Sequence, residues 1–224
     1  MLSSIALMLI VLITAGAARA ACPTAPASYK GYDSASFHPA DGRTVSDEGL
    51  HLISPKNSFA AWTSEATVID AWICATFWFP DAAPSANIAA GIVFWKKDEQ
   101  NFYIAIARRN GSFGIFKHSN AGWTTINPGM MRSYYVNSPQ GPIVHTGSTT
   151  HTPESYNQIE VVTMGDYARV YINGREVMDM GSMVGASEAT AGIYAEADTD
   201  KDCPWLFESV SIINLCHGSI KGYC

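Results

Sequence analysis

Phe102-Tyr-Ile-Ala-Ile-Ala-Arg-Arg-Asn-Gly-Ser-Phe-Gly-Ile-Phe-Lys-His118 is the stretch that decides the fold. Two runs rich in β-branched and aromatic residues flank Asn110-Gly111. Asn-Gly is the strongest two-residue hairpin signal, because a type I′ turn needs positive φ at both positions. Pairing outward from such a turn sets Arg109 against Ser112, Arg108 against Phe113 and Tyr103 against His118. One face then carries Phe102, Ile104, Ile106, Phe113 and Ile115 and is expected to be the core. The other carries Tyr103, Ala105, Arg109, Gly114, Phe116 and His118. Asn173-Gly174 marks a second hairpin, with Ala168, Val170, Ile172 and Val177 on its expected core face. Arg169, Tyr171, Glu176 and Met178 fall on its other face. One apolar and one mixed face is the pattern of a sheet packed on one side and open on the other.

Working outward, further short runs are Thr67–Phe79, Gly91–Trp95, Gln158–Met164, Ala191–Glu196 and Leu206–Ile213, with Gly49–Ser54 a weaker one. No window of twelve or more residues keeps a 3.6-residue period. Short strands with turn signals at about ten-residue spacing predict an all-β fold, an antiparallel sandwich or barrel. Residues 130–155 hold Gly, Pro, Ser, Thr and His with little alternation. So long a connection departs from the usual ~4–6 residues, and we expect an insertion over one end or face of the sandwich. No repeat or linker composition divides the rest, so one domain is expected over residues 21–224.

Acidic residues number 20 and basic residues 14, for a net charge of −6, and only 15% of residues are charged. An acidic, aromatic-rich chain of this kind is neither disordered nor suited to displacing counterions from nucleic acid. Ile5–Thr14 is apolar but too short to span a bilayer, which needs ~20 residues. It is followed by Ala18-Arg19-Ala20, an A-x-A cleavage site, so residues 1–20 read as a secretory signal peptide. An uncleaved anchor and a lipoprotein are the alternatives, although Arg19 stands where a lipobox wants an apolar residue. The mature protein is expected to be extracytoplasmic, periplasmic or secreted, with no transmembrane segment.

All five cysteines, Cys22, Cys74, Cys203, Cys216 and Cys224, follow this segment. Export permits disulfides, and the odd count leaves at least one thiol free. A strand between Cys203 and Cys216 would hold their Cα atoms ~40 Å apart, against the ~7 Å a disulfide allows. Cys22, Cys216 and Cys224 lie near the termini and are the expected bridge formers. Cys74, inside an apolar run, is expected to be a buried free thiol.

The order of motifs is itself informative. Ala90-Gly-Ile-Val-Phe-Trp95 and Asp98–Ile106 lead into Asn110-Gly-Ser-Phe-Gly-Ile-Phe-Lys117 and Gly122-Trp123. Asn157–Val162, Ala168–Gly174, Gly192-Ile-Tyr-Ala-Glu196 and Trp205–Val210 follow. This series resembles the concanavalin A-like lectin/glucanase jelly roll, nearest to laminin-G-like and 3-keto-disaccharide-hydrolase-type domains of exported bacterial proteins. The resemblance covers about Gly49–Ile213 and implies a two-sheet antiparallel jelly-roll β-sandwich, a fold whose members include lectins, glycosidases and domains of no known activity. The hydrolase-type central strand opens Asn-Ser-Gly, whereas Ala89-Ala90-Gly91 stands here.

The chemistry legible in the residues is sparse. The Glu-x-Asp-x-x-Glu string of glucanases of this fold is absent, and its nearest echo is Glu196-x-Asp198-x-Asp200. A glycosidase needs two carboxylates flanking the scissile bond. Asp198-x-Asp200-x-Asp202 also echoes a calcium loop, but Cys203 replaces its glycine and no Glu closes it. The six histidines lack zinc spacing, and no G-x-S-x-G occurs. We therefore expect no catalytic residues, no metal site and no cofactor, with calcium the alternative. What remains is aromatic and polar: Trp95, Tyr103, His118, Trp123, Tyr194 and Glu196, on mixed faces or adjoining loops. Aromatic faces stack on the C–H faces of sugars while polar groups meet the hydroxyls. The expectation is an exported, non-catalytic ligand-binding β-sandwich that binds a carbohydrate, its partner a glycan or another extracytoplasmic ligand. A glycoside hydrolase and an envelope structural or protein-interaction module are the alternatives.

Overall fold

Fourteen strands make up the secondary structure of the computed structural model, which describes residues 31–33, 43–46, 49–64, 67, 68, 70–80, 87–126, 144, 156–181 and 189–215. They are β1 (Gly31–Asp33), β2 (Arg43–Ser46), β3 (Gly49–Ser54), β4 (Ser58–Thr63), β5 (Ala71–Phe77), β6 (Ala89–Lys96) and β7 (Phe102–Arg108). The chain continues with β8 (Phe113–Ser119), β9 (Gly122–Thr125), β10 (Asn157–Met164), β11 (Tyr167–Ile172), β12 (Arg175–Met180), β13 (Thr190–Ala197) and β14 (Cys203–Asn214). The larger sheet runs β12-β11-β10-β5-β14-β3-β2, with β1 also paired to β14. The smaller runs β4-β13-β6-β7-β8-β9. Every pairing between strands is antiparallel. The described residues contain no helix long and apolar enough to cross a membrane.

Alternation along each strand builds the core between the sheets. Leu50, Ile73, Phe77, Val161, Trp205 and Phe207 of the larger sheet meet Trp62, Ile92, Phe94, Ala105 and Ile193 of the smaller in one buried cluster. Burial of apolar area at ~25 cal/mol/Å² drives this contact. The two-sheet antiparallel β-sandwich expected from the strand pattern is thus the fold.

The Asn110-Gly111 hairpin closes one residue off the expected register. Gly111 N–H donates to Arg108 O (2.9 Å) and Arg108 N–H to Ser112 O (2.6 Å). Gly111 has φ 87°, whereas Asn110 is not at positive φ and its Oδ1 accepts from Ser112 N–H at 2.8 Å. This is a three-residue loop, a turn followed by a left-handed glycine, rather than a type I′ turn. Ala107 therefore faces Phe113, and Tyr103 faces Lys117 instead of His118. A one-residue slip exchanges faces. Phe113 and Ile115 point into the core with Tyr103 and Ala105, while Phe102, Ile104 and Ile106 belong to a second cluster on the outer side of the sheet. The expected core face is corrected accordingly.

The second hairpin does turn on two residues, with Asn173 at φ 49° and Gly174 at φ 74°. Its core face holds Ala168, Val170, Ile172 and Val177 as expected, and Met178 as well. The expected outward position of Met178 is corrected by a bulge: Tyr171 pairs with Glu176 but Val170 with Met178, so Val177 is the extra residue.

Cys74 is disulfide-bonded, which overturns its expected reduced state. It alternates with the core residues Ile73 and Ala75, and faces outward between Glu160 and Ser211. Cys203 is free and buried, so the partner of Cys74 lies outside the described residues. No bridge joins Cys203 to Cys216, and β14 runs unbroken for twelve residues from Cys203. Residues 1–20, Cys22, Cys216, Cys224 and the 130–155 insertion other than Val144, which is buried in the core, also lie outside the described residues. Burial pushes the Cys203 thiol up to about 11, against a smaller opposing effect of Arg109. Only the thiolate reacts with alkylating reagents. At pH 8 native protein is therefore expected to leave Cys203 unlabelled by iodoacetamide, with labelling on denaturation. Mass mapping of the Cys203 peptide checks this.

Candidate functional site

The outer face of the smaller sheet carries an unusual concentration of rings. Phe59 comes from β4, Tyr194 from β13, Phe102 from β7, His118 from β8 and Trp123 from β9. Phe59 stacks on Tyr194 at 5.5 Å between centroids, and Phe102 on His118 at 4.9 Å. Trp123 closes the cluster at 4.6 Å from His118, 5.6 Å from Phe102, 5.8 Å from Phe59 and 6.4 Å from Tyr194. β4 and β9 are opposite edges of this sheet. Rings from both edges meet only because the sheet curls, so this face is concave.

Beside the rings lies a pocket of about 460 Å³, walled by Asn57, Ser58 and Phe59 on one edge and Trp123 on the other. Tyr194, Glu196 and Arg108 line it, with Asn87, Ala197 and Asp198. A recess of about 220 Å³ continues between Trp123 and Arg108 over Ile104 and Phe116. Register explains the polar floor. Phe59, Glu196, Ala89 and Arg108 stand in one row across four adjacent strands. Ala89 is small, so the Arg108 guanidinium reaches over it and donates from Nη2 to Glu196 Oε1 at 3.4 Å. It also lies 5.2 Å from the centre of the Phe116 ring, a cation–π contact. Tyr194 OH donates to Glu196 Oε2 at 3.1 Å. At the pocket's rim Asn87 Nδ2 donates to Asp198 Oδ2 (3.1 Å) and Asn110 Nδ2 to Asn87 Oδ1 (3.2 Å).

Burial, and after it the negative charge of Glu196 and the bond to it, push the Tyr194 phenol well above its ordinary value. Tyr194 remains a donor throughout the neutral range. The sign of the stability effect follows from linkage. Below pH 10 both folded and unfolded states keep the proton; above it the unfolded state loses the proton first. Stability is therefore expected to fall as pH rises beyond about 10. Tyr194→Phe should lessen the fall, as read by denaturant titrations at pH 9 and 11.

Four of the six residues expected to form a site come together here: Trp123, Tyr194 and Glu196 line the pocket, and His118 packs behind Trp123. Trp95 and Tyr103 do not. Both belong to the core between the sheets, and their rings pack against each other at 5.4 Å. Tyr103 is turned inward by the hairpin slip. Trp95 is turned inward by a bulge: Val93 pairs with Gly192 and Lys96 with Thr190, so Phe94 and Trp95 together oppose Ala191. Trp95 takes φ 48°, a rare value for a bulky residue, and both rings point into the core. The expected placement of Trp95 and Tyr103 on the open face is corrected on these grounds.

The sequence offers no signal for Phe59, Arg108 or Asn87, and singles out Asp198 only within the acidic string. β4, Ser-Phe-Ala-Ala-Trp-Thr, shows no polar alternation because both of its faces carry apolar side chains: Phe59 and Ala61 lie half-buried against the outer cluster, while Ala60 packs against the core and Trp62 is buried in it. The acidic string separates in space: Asp198 accepts from Asn87, and Asp202 Oδ1 accepts from Lys56 N–H at 2.9 Å. Among the described residues no group of three or more His, Cys, Asp or Glu is placed to hold a metal ion.

No family model and no curated protein matches the sequence. Solved structures do match the architecture. Crh5 transglycosylase superposes over 88% of this chain and 89% of its own, with TM-score 0.51 at 11% identity, both as the apo protein and in complex with NAG. The fold is the concanavalin A-like jelly roll. A xylan β-1,4-xylosidase from Bacillus halodurans shares the jelly roll over 86% of this chain, with TM-score 0.54 at 8% identity; the chain spans 41% of that protein. Carbohydrate-binding module CBM66 from Bacillus subtilis aligns over 86% of this chain and 96% of its own, with TM-score 0.47 at 16% identity. In this concanavalin A-like sandwich the aromatic cluster and the pocket occupy the concave sheet.

Proposed function

We propose that this domain is an exported, non-catalytic glycan-binding module whose ligand docks on the concave sheet. One observation carries the reading. Trp123 keeps 44% of its surface exposed at the wall of a pocket that Tyr194, Glu196 and Arg108 line with hydrogen-bonding groups. That combination suits a sugar, which offers an apolar C–H face and a rim of hydroxyls. The pocket's volume falls within the ~300–1,000 Å³ of small-molecule sites. A transglycosylase of the same fold in complex with NAG supports a saccharide ligand. The disulfide at Cys74 and the leader-like residues 1–20 support export.

A glycan array probed with the labelled domain, followed by titration of the retained sugars, tests the reading. Trp123→Ala is expected to weaken binding about tenfold or more, the equivalent of ~1.4 kcal/mol, with a melting loss of a few degrees. Retention of no glycan, or unchanged affinity in the variant, would overturn it.

A hydrolase is the second reading, because Glu196 and Asp198 line one pocket and glycosidases use two carboxylates. Against it, both oxygens of Glu196 are already engaged, by Arg108 and by Tyr194. Sugar release by the wild type that Glu196→Gln abolishes would select the hydrolase.

A further inference from the structure

Phe59 and Trp123 stand on opposite edges of a six-stranded sheet, with four strands between them, yet their ring centres are 5.8 Å apart. Strands spaced ~4.8 Å apart in a flat sheet would separate those edges by about 24 Å. The two rings therefore bridge the full width of the concave face. On the far side of the bridge the face is filled by Phe102 stacked on His118, and Phe102 is 6.1 Å from Phe59. The pocket lies on the near side, between the same two edges, and runs toward Asn87, Ala197 and Asp198 at the strand ends. The Tyr194–Glu196–Arg108 network lines it, and past that network it leads into the smaller recess between Trp123 and Arg108.

A chain lying across the sheet from edge to edge would collide with the bridging rings. One that enters from the strand ends meets Trp123 on its flank and the polar network at its tip. We propose that the pocket takes the terminal unit of a glycan chain end-on and excludes internal segments. The inference rests on the glycan-binding reading above and sharpens it to a class of ligand.

Calorimetric titration with linear xylo-, cello-, laminari-, malto- and chito-oligosaccharides of two to six units tests it. In the series that binds, affinity should be complete at the disaccharide and change by less than about threefold up to the hexasaccharide. The parent polysaccharide should compete in proportion to its chain ends, not its mass. Phe59→Ala removes half of the bridge and is expected to make affinity rise about tenfold with length. Affinity that climbs about tenfold with length in the wild type would overturn end-on recognition and leave glycan binding standing. A Phe59→Ala variant as indifferent to length as the wild type would contradict the bridge as its cause. Binding of none of the series, with no sugar retained on the array, would overturn the glycan-binding reading, and this inference with it.

Discussion

Gly192→Ala is expected to prevent the domain from folding. Gly192 lies in β13 on the concave side, opposite Thr63 of β4. A Cβ built there would lie 2.0 Å from the Trp62 carbonyl oxygen and 2.6 Å from Thr63 Cα. Both are backbone atoms of the neighbouring strand, so no side-chain rotation relieves the clash. The strand would have to move by more than an ångström, and β4 would be lost with Phe59 and Trp62. Overlap of this kind belongs among the rare substitutions that cost more than about 4 kcal/mol. Gly91, where a Cβ would meet Ala105 O at 2.0 Å, is expected to behave alike. Chemical denaturation of each variant checks this; a Gly192→Ala protein with wild-type stability would mean that β4 does not pair with β13 as described.

Trp95→Ala is expected to cost about 3–5 kcal/mol, the range for truncating a buried tryptophan. Its ring is 3% exposed and contacts Phe94 and Tyr103, at 5.3 and 5.4 Å. Its indole N–H is buried with no hydrogen-bond partner among the described residues, and positive φ adds backbone strain. Packing alone thus holds this residue in place. Trp95→Gly should lose less than Trp95→Ala relative to the side chain removed, since glycine adopts the left-handed region freely. The expected pattern is a large melting loss with glycan affinity intact in the folded fraction. Reduced affinity without lost stability would instead return Trp95 to the ligand site.

Strand content was the legible part of this protein. Phe102–Arg108 and Ala168–Ile172 announced themselves through β-branched and aromatic residues bounded by Asn-Gly, and the motif order suggested the jelly roll. Face assignment was harder, for physical reasons. The smaller sheet buries aromatic and aliphatic residues on both sides, so Phe102 and Ile104 look no less like core than Tyr103 and Ala105. Hydrophobicity cannot choose the register of such a strand, and the choice fell to the turn. There Asn110 used its side chain to bond Ser112 and left positive φ to Gly111. Bulges are equally silent: nothing in Val-Phe-Trp-Lys indicates that Trp95 doubles back. Tyr194 and Glu196 are legible as a pair because two-residue spacing on an unbulged strand needs no partner. Arg108 and Phe59 were missed because their roles depend on neighbours fixed only by the curl of the sheet.

In the proposed site the ligand meets Trp123 on the concave sheet, while Trp95 belongs to the core. All six tryptophans carry an indole N–H, so a ¹H–¹⁵N spectrum of tryptophan-labelled protein resolves them individually. Titration with a sugar retained on the array should shift the Trp123 signal in proportion to occupancy and leave the Trp95 signal in place. Movement of Trp95 with Trp123 unchanged would contradict the account.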